Sequence, residues 1–275
     1  MTRKLICFDL DGTLLNSRKE VPPENLAALE KLIELGHIVS IATGRHYKSA
    51  YKVSLNLPHG VEIIASNGAV VSKGGVIIRR EMIPAAELVD IYHLTEDYGL
   101  NLTFDSLYAA YHTRLGHALK YSYFMNVLNK GPIYIRNVHI KSLADYERYM
   151  PFFINAIVIS KKHPDRVARL RLDLEKADRF NIESSGADNL EIIPRSSDKG
   201  TGALVLAEHY GIANTDIIAF GDQENDLKLL RVAGIGVAMG NASAYLKAHA
   251  DLVSDTNDQG GIPKALREIF GDEFK

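Results

Sequence analysis

The chain has 275 residues, 46% of them hydrophobic and 24% charged, an ordinary globular balance with enough apolar mass for a core. At about 100–200 residues per domain, the length favours two domains. The 32 Lys and Arg against 34 Asp and Glu leave a formal net charge of −2, which argues against bulk attraction to nucleic acid or to an anionic membrane.

A single cysteine, Cys7, rules out an intrachain disulfide and a cysteine zinc site, and points to a reducing compartment. The first apolar run, Leu5 to Leu10, is too short for a signal peptide's apolar region and ends in acidic residues. No stretch approaches the ~18 apolar residues of a membrane helix. A cytoplasmic protein is the expectation.

The continuous apolar run Leu5 to Phe8 predicts a strand buried on both faces. Pro22 and Pro23 then open a helix with apolar Leu26, Leu29, Leu32 and Ile33, closed by Gly36. A strand over 37–43, a helix over 46–55, a strand over 62–66 and a hairpin around Lys73-Gly74-Gly75 follow. This order predicts a parallel sheet with right-handed crossovers. Pro84 marks a change of style. A helix from Ala85 to Tyr98 leads into strands of alternating polarity at 101–104, 108–111, 156–160 and 180–185, with helices over 114–129 and 164–178. Most of the 13 tyrosines fall in this stretch, as core and rim residues of an open-sheet α+β module. From Lys199 the α/β rhythm returns: helix 202–210, strand 215–220, helix 225–232, strand 234–239, helix 242–248, a short strand at 251–253 and a closing helix over 261–269. The fold class expected is therefore α/β, a doubly wound Rossmann-like parallel-sheet core formed by 1–83 and 188–275, with an α+β cap inserted at 84–187.

Four short segments carry chemistry. Asp9-Leu10-Asp11-Gly12-Thr13 follows the first strand, and ligands of open α/β sheets bind beyond the carboxyl ends of strands. Two carboxylates one residue apart there call for a neutralising ion, and Mg²⁺ takes hard oxygen ligands of this kind. Thr43-Gly44-Arg45 ends the second strand and offers a hydroxyl and an approachable amide. Asp198-Lys199-Gly200 opens a helix, where a lysine can reach an anion at the sheet edge. Gly221-Asp222-Gln223-Glu224-Asn225-Asp226 follows another buried strand. Each is weak alone, and Glu224 reads as a helix-start acid and no more. Together they collect Asp9, Asp11, Asp222, Thr43, Lys199 and Asn225 at one edge. That inventory suits Mg²⁺-assisted phosphoryl transfer: a metal, an anionic nucleophile, and donors for phosphoryl oxygens.

With these four segments in this order, and with Ala65-Ser66-Asn67-Gly68-Ala69 and Val237-Ala238-Met239-Gly240-Asn241-Ala242 beside them, the chain resembles a haloacid dehalogenase (HAD) superfamily phosphatase of the Cof-type branch. One departure is His46, where that branch often has Pro. The resemblance implies Asp9 as nucleophile forming an aspartyl-phosphate, and Asp11 as general acid and then base. It implies Mg²⁺ held by Asp9, Asp222 and the backbone carbonyl of Asp11. Phosphoryl oxygens would be bound by Thr43 and the amides of Leu10 and Gly44, and Asn225 would contact phosphate or a metal-bound water. Lys199 would screen charge, and Asp226 would orient Lys199 or a metal-bound water. The implied activity is hydrolysis of small phosphorylated metabolites, such as sugar phosphates, nucleotides or phosphorylated cofactors, with no nucleic-acid or membrane partner. A sugar-phosphate mutase and a non-catalytic phosphometabolite sensor are the alternatives on the same fold. The inserted cap would exclude water and select substrate.

Overall fold

The structure, a computed structural model, describes residues 2–122, 134–184 and 188–274. Two compact units divide the chain: Met1–Gly44, Val53–Arg79 and Asp198–Lys275 form one, Arg45–Lys52 and Arg80–Ser197 the other.

The first unit is built on an eight-stranded sheet ordered β14-β13-β12-β1-β2-β3-β4-β5. Its strands are β1 (Leu5–Phe8), β2 (Ile38–Ala42), β3 (Glu62–Ala65), β4 (Val70–Lys73), β5 (Val76–Arg80), β12 (Ile217–Gly221), β13 (Ile235–Ala238) and β14 (Leu252–Val253). All the pairings from β14 to β3 are parallel, and β4 returns antiparallel to β3. The apolar runs become central strands because they are covered on both faces: all four residues of β1 and all five of β2 and of β12 are buried. Helix α1 (Pro23–Glu34) starts at a proline and buries Ala28, Leu29 and Leu32. It also buries Asn25, whose Nδ2 donates to the Leu14 carbonyl at 3.0 Å. Helix α7 (Lys199–Tyr210) is fixed at its start by a reciprocal capping box: the Asp198 carboxylate accepts from the Thr201 amide at 2.7 Å, and the Asp198 amide donates to the Thr201 hydroxyl at 2.9 Å.

The second unit carries a six-stranded sheet ordered β10-β11-β9-β6-β7-β8. Its strands are β6 (Leu102–Asp105), β7 (Ala109–His112), β8 (Arg136–His139), β9 (Asn155–Ile159), β10 (Phe180–Glu183) and β11 (Asn189–Pro194). One face packs Leu102, Phe104, Tyr111, Ala156, Val158, Leu190 and Ile192 into a core with residues of α3 (Ala85–Asp97), α5 (Leu143–Tyr149) and α6 (Pro164–Ala177). The tyrosines divide between core and surface. Tyr146 is fully buried and donates to the Leu88 carbonyl, whereas Tyr108 and Tyr134 are exposed. This unit runs through Ser197, past the boundary expected at 187, with sheet pairing as far as Pro194. The reason is that β11 is held between β9 and β10, both antiparallel to it. Strand β8 and helix α5 were not anticipated either. Arg-Asn-Val-His lacks an apolar alternation, while the short α5 does carry a start signal, Ser142 accepting from the Asp145 amide. Helix α4 spans Leu115–Ser122. The rest of the helix expected over 114–129, and the last residue of the strand expected over 180–185, lie outside the described residues.

Helix α2 (Tyr47–Ser54) has an unusual cap. The His46 Nδ1 accepts from the Lys48 amide at 3.0 Å, so the imidazole does the work of an N-cap oxygen and must be neutral there. Burial and the nearby Lys48 ammonium hold its pKa down at about 4.

On the sheet face away from that core, Asp105 of β6 stands opposite Asn155 of β9. Both are buried, and both Asp105 carboxyl oxygens and both Asn155 amide atoms lack a hydrogen-bond partner among the described residues. Burial, and secondarily the charge of Glu191, raises the Asp105 pKa to about 8. A group raised on folding stabilises fully below its unfolded pKa and loses that contribution as pH climbs through the folded value. Asp105→Asn should therefore raise the melting midpoint at pH 8.5, by roughly 5 °C or more, and by much less at pH 5. Thermal scans at both pH values check this, and an equal shift at both would contradict it.

No helix among the described residues is long and apolar enough to cross a membrane.

Candidate active site

Strand β1 lies between β12 and β2, the point where the strand order of the first unit's sheet reverses. Because the three strands are parallel, their carboxyl ends share one edge, with Phe8 in register with Phe220 and Ile41. The residues that follow them, Asp9, Thr43 and Asp222, are thereby brought to that edge. Asp9 continues the pairing, its amide donating to the Phe220 carbonyl at 3.0 Å. Gly12 then turns the chain with φ +92°, and a Cβ there would lie 2.4 Å from an Asp222 carboxylate oxygen. The turn passes so close to Asp222 that only glycine fits.

Lys199 is placed from the other end of the chain. Its Nζ donates to Asp9 Oδ1 at 2.7 Å and to Asp226 Oδ1 at 2.6 Å, with the lysine side chain 2% exposed. Asp226 also accepts at Oδ2 from the amides of Asp222 and Gln223, at 2.9 and 3.0 Å. One carboxylate thus holds both the lysine and the loop that carries Asp222. The turn at Ser66-Asn67-Gly68 braces this arrangement. The Asn67 amide donates to the Thr43 carbonyl at 3.1 Å, and a Cβ on Gly68 would meet the Asp198 carbonyl oxygen at 1.9 Å. That close approach sets the start of α7, and hence Lys199, against the turn beside Thr43.

Electrostatically the site is short of positive charge. Asp9, Asp222 and Asp226 are all buried, and each offers an oxygen within 4.8 Å of the others'. Burial works against the charged form of Lys199, yet the carboxylates of Asp226 and Asp9 outweigh it and keep the ammonium above its ordinary pKa. Burial raises Asp9 well above the carboxylate range, with Lys199 opposing and the like charges of Asp226 and Asp222 adding to the rise. Asp222 is raised too, again chiefly by burial. Three buried carboxylates against one ammonium leave negative charge that a divalent cation with oxygen ligands would neutralise, so the donor set fits Mg²⁺.

The other expected residues are distributed as follows. Leu10 and Thr43 are buried and Gly44 is half-buried. Asn225 sits in a one-turn helix, Glu224–Asp226, and its Oδ1 is buried without a hydrogen-bond partner among the described residues. The Asp11 side chain stands apart from the three-carboxylate cluster. It is 39% exposed and accepts from Lys19 Nζ at 2.9 Å. Three residues went unassigned at the level of sequence. Thr13 Oγ1 donates to Asp222 Oδ1 at 3.0 Å, and Gln223 Nε2 to Asp222 Oδ2 at 2.9 Å. Asn241 Nδ2 donates to the Gly12 carbonyl at 2.8 Å. Thr13, Gln223 and Asn241 stand inside the segments singled out by motif, which was the available signal. Their bonds to residues far along the chain were not.

A profile of haloacid dehalogenase-like hydrolases matches residues 6–266. The chain is 30% identical over 280 residues to the 5-amino-6-(5-phospho-D-ribitylamino)uracil phosphatase YitU of Bacillus subtilis, with 97% of each chain covered. It is 28% identical over 276 residues to the pyridoxal phosphate phosphatase YbhA of Escherichia coli, covering 97% of this chain and 98% of that one. Among solved structures, a haloacid dehalogenase-like hydrolase from B. subtilis matches with a TM-score of 0.81 at 28% identity, covering 96% of this chain and 98% of that one.

Proposed function

We propose, from the premise that the chain belongs to the haloacid dehalogenase-like hydrolases, that Asp9 is the nucleophile with which it cleaves phosphomonoesters of small metabolites. It is a phosphatase of the Cof-type branch of that superfamily. The observation that carries the reading is the buried Lys199 ammonium resting on Asp9 and Asp226, with Asp222 alongside. A phosphate dianion approaching a bare carboxylate would be repelled, and Lys199 removes that repulsion at the attacking oxygen.

A carboxylate oxygen of Asp9 attacks phosphorus, and the bond from phosphorus to the ester oxygen breaks. Asp11 gives its proton to the departing oxygen. Water then attacks the aspartyl-phosphate and passes a proton to Asp11, so that phosphate leaves and Asp9 is regenerated. Thr43, Asn225 and the amides of Leu10 and Gly44 would donate to the phosphoryl oxygens. Asp9, Asp222 and the Asp11 carbonyl would hold Mg²⁺, which when bound supplies further neutralisation of the phosphoryl charge. Asp226, committed to Lys199 and to two loop amides, acts as the fixed counter-charge of the lysine.

The two relatives named above act on small phosphorylated metabolites, which supports the same substrate class here. Phosphate release from a broad phosphometabolite panel tests this. Turnover is expected with Mg²⁺, is lost on chelation with EDTA, and returns when Mg²⁺ is restored. Absence of phosphate release, or conversion of a sugar phosphate to its isomer instead, would overturn the reading.

A further inference from the structure

The loop after the Gly12 turn is tied down more heavily than an exposed connection requires. The Asn16 side chain accepts from the amides of Arg18 and Glu20, at 3.0 and 2.9 Å. The Asn16 amide donates to the Glu20 carbonyl, and the Lys19 amide to the Asn16 carbonyl, each at 2.9 Å. Three further side chains anchor the loop from outside. Asp258 accepts from the Ser17 amide, Asn257 donates to the Leu15 carbonyl, and Asn25 donates to the Leu14 carbonyl. Within this frame Lys19 is held at φ +64°, a left-handed conformation that a side chain with a Cβ adopts reluctantly. Its ammonium lands 2.9 Å from Asp11 Oδ1.

Stability does not account for this. An ion pair with side chains 63% and 39% exposed contributes little to folding, and the backbone conformation works against it. Strained backbone maintained by surrounding bonds is found where geometry serves a site.

We infer that Lys19 is a positioning residue for Asp11: the braced loop aims its ammonium so that the carboxyl which handles the proton is presented from a set direction. This rests on the phosphatase reading. Lys19 touches neither the phosphoryl group nor the ester oxygen. It acts by fixing one Asp11 oxygen, which limits the rotation of the carboxyl during proton delivery to the leaving oxygen.

A pair of aryl esters isolates that role. p-Nitrophenolate departs readily without a proton, whereas the poorer leaving group of phenyl phosphate needs one. Lys19→Met keeps the stem and removes the charge, and Lys19→Arg keeps the charge. In Lys19→Met, kcat/KM is expected to fall about tenfold further for phenyl phosphate than for p-nitrophenyl phosphate, a fraction of the ~10²–10⁴-fold that general acid–base groups typically supply. Lys19→Arg is expected to restore most of the difference. Equal losses on both esters, no loss on either, or failure of arginine to restore the difference would overturn the positioning role. Failure of the wild-type protein to hydrolyse either ester would instead remove the phosphatase reading, and the role with it.

Discussion

Asp9→Asn should give a folded protein whose turnover of p-nitrophenyl phosphate with Mg²⁺ falls by at least about 10³-fold, in line with losses seen when a covalent nucleophile is removed. The substitution keeps size and shape but replaces the attacking oxygen's charge with a neutral amide. Its effect on folding should be small, because Lys199 keeps the Asp226 carboxylate and the asparagine oxygen can still accept from its ammonium. Asp9 is 5% exposed and is raised above its ordinary pKa first by burial and then by neighbouring carboxylates, so the charge it loses is one that the buried site tolerates poorly. The backbone bonds that hold it, its amide to Phe220 and its carbonyl from the Leu14 amide, are untouched. Steady-state kinetics with a thermal melt separates the two effects. A variant that retains kcat within tenfold of the wild type would end the covalent mechanism.

Lys199→Met should do the reverse and strike the fold as well as the chemistry. Methionine fits the space of the lysine stem, yet it leaves Asp9 and Asp226 facing one another without the ammonium that bonds to both. Breaking a buried ion pair from one side typically costs roughly 3–5 kcal/mol. The pH dependence follows from Asp9, whose folded pKa already lies above its unfolded one and which loses the Lys199 ammonium that opposes that rise. A carboxyl raised on folding stabilises below its unfolded pKa and loses that contribution as pH rises. The deficit of the variant should therefore be larger at pH 8 than at pH 4.5. Urea unfolding in EDTA at the two pH values measures it. A deficit below about 1 kcal/mol at pH 8 would show that Lys199 is not the partner that keeps these carboxylates buried.

Much of the candidate site's position was legible because its residues follow apolar runs directly. Asp9 comes straight after Leu5–Phe8, and Asp222 after Ile217–Gly221, so locating the strands located the edge. What local pattern cannot carry is which residues meet across long separations. Nothing around Lys19 advertises an ammonium bound for Asp11, since that contact depends on a loop braced by Asn257 and Asp258 from near the far end of the chain. The short first segment of the second unit, 45–52, was equally hidden: only two residues separate it from a strand of the first unit, and tertiary contact alone assigns it to the other. The return to the core was misplaced for a related reason. Asn-Leu-Glu-Ile-Ile-Pro is a credible strand for either sheet, and only its pairing with β9 and β10 decides between them.

The central position of β1 bears on how the molecule is made. Its neighbours are β2, which begins at residue 38, and β12, which begins at residue 217. As the polypeptide leaves the ribosome, β1 and β2 can pair early, while the opposite edge of β1 stays open until nearly four-fifths of the chain has been synthesised. Such an edge, apolar along its length, is a template for wrong pairing and aggregation. The second unit's strands are complete by residue 194, so that sheet can form in the meantime. A chain stopped before β12 should therefore be prone to aggregation, and Asp9 gains the Lys199 ammonium only once the segment after the second unit has joined the first sheet.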